Sequence, residues 1–180
     1  MSYLHDFKEA LQRNTRLGLE SPFFSYEDTR YLTNDFNAQF PYLILNTFGM
    51  LEPKDLTGTC IPIHNQLQTV LNDKLGILSY FTIGYVTLNG RDIYHQTEDS
   101  LKRLLSDGID SRSTNLHAWL TLSSMEIIDM TLPTSYGAIN NKNEMLGLDI
   151  TKHYSELKGD MSYHPMIIGT EYLEKSVWKN

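Results

Sequence analysis

The chain holds one cysteine, Cys60, and His117 and Asp129 follow it in that order. A thiol, an imidazole and a carboxylate are the groups that nucleophilic acyl transfer needs. The thiolate attacks a carbonyl, the imidazole takes and returns the proton, and the carboxylate holds the imidazole's tautomer. An unassisted thiol is largely protonated at neutral pH, so this chemistry requires an imidazole beside the sulfur to hold a thiolate–imidazolium pair. The imidazolium then protonates the leaving amine or ammonia, and afterwards the imidazole activates water or an amine acceptor for deacylation. On a glutamine carboxamide such a site deamidates or transamidates, on a peptide it cleaves, and on a thioester it transfers the acyl group. The residues alone do not choose among these.

The elements around these residues must place them. Thr57 or Thr59 can cap a helix, Pro62 suits its first turn, and Ile63, Leu67, Val70, Leu71 and Leu75 form an apolar stripe that Gly76 can terminate. Cys60 is therefore expected at a helix N-terminus. There the exposed N–H groups and the positive end of the macrodipole favour a thiolate, and the N–H groups at Cys60 can stabilise an oxyanion. His117 is expected on a strand, Leu116–Leu122, sharing one face with Trp119 and Thr121, while Met125–Met130 forms the partner strand. A two-residue loop, Ser123-Ser124, sets His117 opposite Met130 and turns His117 and Asp129 to opposite faces. An odd loop such as Leu122-Ser123-Ser124 sets His117 opposite Asp129, and the odd loop or an equivalent bulge is expected.

Elsewhere the pattern predicts a helix over Tyr3–Arg13 and a second from Ser25-Tyr26-Glu27-Asp28 toward Asn37, interrupted at Pro41. Tyr42 to Phe48 is a compact apolar run expected in the core. Tyr80–Leu88 reads as a strand, Asn89-Gly90 as a hairpin turn returning through Ile93-Tyr94, and Glu98–Leu105 as a surface helix. Ser135 to Glu144 reads as a polar excursion, Asp149 to Leu157 as helical, and Met166 to Leu173 as a last strand.

Composition bounds the partners. The 180 residues, 41% hydrophobic and 21% charged, suit a single domain over 1–180 with a substantial core. A net charge of −7 gives phosphate-backbone binding no electrostatic support, which argues against nucleic acid as a partner. One cysteine forms no internal disulfide, and residues 1–20 carry charges without an apolar signal core, nor does any stretch read as a membrane span. The expected setting is cytoplasmic, or delivery by a specialised secretion machine that needs no such signal. The expected partner is a protein or peptide substrate, with no cofactor and no metal.

The Cys60 helix ending in Leu75-Gly76-Ile77, the strand through Gly84-Tyr85-Val86, His117-Ala118-Trp119 and Asp129-Met130-Thr131 resemble the core of the transglutaminase-like, papain-like thiol enzymes over about residues 58–131. Two features depart from the family pattern: Ile61-Pro62 follows the thiol instead of a tryptophan, and Met130 stands where proline commonly follows the aspartate. The resemblance implies an α+β fold with N-terminal helices packed on an antiparallel sheet, Cys60 as nucleophile, His117 as base and acid, and Asp129 as orienter. Substrate would be a protein or peptide carboxamide, for a deamidase, transglutaminase or peptidase, housekeeping or a bacterial effector. The alternative is an inactive copy of the fold serving as a protein-binding module.

Other assignments compete for the same residues. A lone buried cysteine is commonly a small inert hydrophobe. Cys60 and His64, four apart on one helix, could ligate a metal with His117, but no CxxC or HxxxH pair supports it and Pro62 occupies the intervening turn. His5, His95, His153 and His164 have no partner pattern and are expected at the surface. Trp119, Trp178 and the tyrosines can line a substrate cleft, with Trp119 the nearest to the site, although core packing accounts for most of them.

Overall fold

The computed structural model describes residues 2–109 and 115–177; Trp178 lies outside them. In chain order the helices and strands are α1 Tyr3–Arg16, α2 Asn34–Phe48, α3 Pro53–Leu56, α4 Cys60–Thr69, β1 Ser79–Leu88, β2 Arg91–Ile93, α5 Glu98–Asp107, β3 His117–Leu122, β4 Glu126–Asp129, α6 Leu132–Asn140, β5 Ile150–His153, β6 Ser162–Ile168 and α7 Glu171–Val177. The fold is α+β, and the strands pair antiparallel. The chain forms two compact units, one of residues 1–23, 82–117 and 157–180, the other of residues 24–81 and 118–156.

In the first unit, Asn89 and Gly90 both take positive φ (52° and 73°), the two-residue turn that matches strand twist, and Leu88 pairs with Arg91 across it. The hairpin expected from Asn-Gly is thus present. β6 runs along the other edge of β1, with a bulge between Ile83 and Gly84. α1 packs on β6 through Tyr3, Phe7, Ala10 and Asn14, the helical spacing of one buried face. Asn14 completes that contact as a strand would: its amide donates to the Ile168 carbonyl at 2.6 Å, and its Oδ1 accepts the Ile168 N–H at 3.2 Å. Thr97 caps α5 by accepting the Ser100 N–H, and the Tyr172 hydroxyl of α7 donates to the Leu101 carbonyl. The last strand precedes the expected Met166–Leu173 and gives way to α7 after Ile168.

The second unit departs from expectation in four places. No helix begins at Ser25. The N–H groups there donate instead to tertiary acceptors: Ser25 to the Tyr80 hydroxyl, Glu27 to the Ser123 carbonyl, and Tyr31 and Leu32 to the Glu126 carboxylate. Helix begins only after Thr33, whose side chain accepts the Phe36 N–H, and it runs through Pro41 to Phe48. The apolar run in α2 is not core: Phe40 is buried, whereas Tyr42 is 68% and Leu45 50% exposed. The expected polar excursion after Pro133 is α6, which buries Leu132 to Ser135 and Gly137. The segment near Asp149, expected helical, supplies β5, which pairs with β4 from Glu126–His153 to Asp129–Ile150.

Candidate active site

The helix bearing the thiol starts at Cys60, as its sequence requires, but neither threonine caps it. Thr59 Oγ1 donates back to the Asp55 carbonyl at 2.6 Å, Thr57 Oγ1 to that of Pro53 at 2.9 Å, and α4 has no side-chain cap. Both hydroxyls instead close the short α3. The Gly58 N–H donates to Ser135 Oγ on α6, which fixes the approach to the helix. Ile63, Leu67, Val70 and Leu71 are buried, and α4 passes into a five-residue π-helical turn, Val70–Lys74. That wider turn rotates Leu75 off the stripe into solvent, and Gly76 at φ 65° ends the run while the Ile77 N–H bonds back to the Leu71 carbonyl. The Cys60 thiol is free of disulfide and its residue is 9% exposed.

His64 lies one turn on and is fully buried. Its Nδ1 stands 2.7 Å from the Cys60 carbonyl, and its Nε2 accepts the Met130 backbone N–H at 3.0 Å. A nitrogen that accepts an N–H carries no proton, so the ring is the neutral Nδ1–H tautomer donating to Cys60. Asp129 Oδ1 stands 3.7 Å from Nε2.

Asp129, also fully buried, ends β4. Its Oδ1 accepts from the Thr131 N–H at 2.9 Å, the Leu132 N–H at 3.0 Å and the Thr131 hydroxyl at 3.3 Å. This carboxylate starts α6. The β3–β4 pairing, Leu120 with Ile128 and Thr121 with Ile127, leaves an odd loop, Ser123-Ser124-Met125, one residue beyond the expected one. Met125 takes φ 64°, the left-handed residue that closes a three-residue hairpin. Continued by one residue, this register sets Trp119 level with Asp129.

His117 opens β3 and belongs to the first unit, 3% exposed, with its ring stacked on Tyr94 at 5.1 Å and 24°. Trp119 is fully buried and among the largest core side chains, so its indole packs the interior.

Glu126 escaped the sequence. It is buried on β4, accepting from Tyr31, Leu32 and Ser124, and it holds the 24–33 segment in place. Two of the supposed surface histidines are also tied in. His153 is buried, and its Nδ1 accepts the Ser155 N–H at 3.2 Å; burial holds its pKa below the ordinary imidazole value, with nearby Arg30 adding to the shift. His164, in the first unit, stacks on Tyr85 at 4.5 Å beside a cleft of about 580 Å³ that Asp6, Glu9 and Arg13 also line. In the second unit an apolar groove of about 420 Å³ runs past Pro41, Leu45, Met50 and Met130.

Among the described residues no group of three or more His, Cys, Asp or Glu side chains is arranged to hold a metal ion. No helix among them is long and apolar enough to cross a membrane. No protein-family model, curated protein or solved structure matches the chain.

Proposed function

We propose that the protein is a transglutaminase-like thiol acyltransferase or hydrolase, with Cys60 as nucleophile, His117 as acid–base group and Asp129 as its orienter, acting on a carboxamide or peptide bond of another protein. One observation carries this: the thiol opens a helix whose next turn is hydrogen-bonded to the backbone beside Asp129, so nucleophile and carboxylate are tied together within one compact unit. Both ring nitrogens of His64 have backbone partners, which supports giving the acid–base role to His117.

In the proposed cycle the Cys60 thiolate attacks the carboxamide carbon, and the oxygen takes the charge. The tetrahedral intermediate collapses as His117 protonates the departing ammonia or amine. Water or a lysine amine, deprotonated by His117, then releases the acyl group and restores the thiol. The α4 N-terminus has no side-chain cap, which suits its first-turn amides to the oxyanion.

The test is ammonia release from a glutamine-bearing protein such as casein. Wild-type protein is expected to release ammonia in proportion to enzyme, with Cys60→Ala and His117→Ala inactive. New chain termini without ammonia would assign a peptidase. Neither product from a panel of proteins would leave the fold as a binding module.

A further inference from the structure

Filling a wholly buried helical position with histidine is expensive unless both ring nitrogens find partners, and a leucine there would bury more apolar surface at no polar cost. His64 meets both demands through the main chain: one nitrogen bonds the carbonyl of Cys60, the other the N–H of Met130. The ring therefore acts as a strut of fixed length between the first turn of α4 and the corner where β4 becomes α6. At one end of the strut stands the thiol, and at the other stands Asp129, whose Oδ1 accepts the N–H groups of Thr131 and Leu132.

We infer that His64 is a positioning residue for the Cys60 nucleophile, acting through the backbone and not on the sulfur; the inference rests on the thiol-enzyme function proposed above. Reacting groups held in near-attack geometry lose up to about a hundredfold in rate when displaced by about 1 Å. Backbone hydrogen bonds at both ends of a rigid ring restrict that displacement in a way that apolar packing, which tolerates sliding, does not.

The experiment uses the full chain with His64→Leu, His64→Asn and His64→Gln. The asparagine keeps a donor near Nδ1, the glutamine an acceptor near Nε2, and the leucine neither. Each is followed by urea unfolding and by the rate and pH dependence of Cys60 alkylation with iodoacetamide. A positioning role predicts that His64→Leu slows alkylation at pH 7 by roughly tenfold or more, moves its midpoint toward that of a free thiol, and is partly rescued by Asn or Gln. Folded variants that lose stability yet alkylate with the wild-type profile would overturn the inference and leave the enzyme intact. A wild-type thiol that titrates like a free one would overturn both. Should no variant fold, imidazole ¹⁵N shifts of the wild type decide: the Nδ1–H tautomer supports the strut, and the Nε2–H tautomer refutes it.

Discussion

The Nε2 atom of His64 accepts the backbone N–H of Met130 at 3.0 Å, while the other nitrogen of the ring meets the carbonyl of Cys60 at 2.7 Å. This one side chain joins the start of the thiol-bearing helix to the end of the strand that carries Asp129. The separation of these two backbone segments is thus set by a covalent ring and two hydrogen bonds.

Asp129 has a structural and a proposed chemical role, and substitutions can part them. Asp129→Ala deletes the acceptor for two helix-start amides in a buried setting and is expected to cost about 2–3 kcal/mol. Asp129→Asn retains an amide oxygen at Oδ1 and is expected to cost roughly half as much. Urea unfolding measures both. If the carboxylate orients an imidazole, the asparagine variant will lose activity out of proportion to its stability.

Asn14 stands in for a strand residue beside Ile168. Asn14→Ala leaves a buried N–H and a buried carbonyl without partners, and the expected loss is about 2–4 kcal/mol. Asn14→Leu should be no better, because added apolar area does not satisfy β6. Equal stability of wild type and Asn14→Ala in urea would contradict this role.

Met125 sets two effects against each other. Its left-handed φ favours glycine by about 1 kcal/mol, but the side chain is fully buried, and deleting a buried methionine costs about 2–5 kcal/mol. Packing outweighs strain, so Met125→Gly is expected to destabilise. A rise in urea midpoint would show that the hairpin is more strained than packed.

His153 gives a pH dependence of definite sign. Its folded pKa is lowered, chiefly by burial, so the unfolded chain binds the proton more tightly. Stability from this group is complete above the unfolded value of about 6.5 and is lost as pH falls below it. Wild type should therefore lose more stability between pH 7.5 and 5.5 than His153→Asn, in which the amide oxygen can still accept the Ser155 N–H. Urea midpoints at the two pH values give the comparison, and identical changes would refute it.

Where structure followed local chemistry, the sequence was readable. Asn89-Gly90 had to turn, and Gly76 stops the run from Cys60 because it adopts positive φ without cost. Where tertiary partners decided, it was not. Ser25 and Thr33 offer similar capping signals, but the amides after Ser25 are taken by Tyr80, Ser123 and Glu126, so only the helix after Thr33 forms. α6 was hidden because a buried carboxylate three residues upstream of its first residue, Asp129, supplies its start. In the candidate site, the helix start at Cys60 was legible. The burial of Trp119 was not, since strand alternation cannot tell a cleft face from a second packed face.

The most direct measurement is the pH dependence of Cys60 alkylation by iodoacetamide in wild type and in His117→Ala. A thiolate–imidazolium pair predicts half-maximal alkylation well below pH 7 in the wild type and a shift toward the free-thiol value of about 8.5 in the variant. Superimposable curves, or a thiol unreactive until the protein unfolds, would contradict the proposed catalytic role of Cys60.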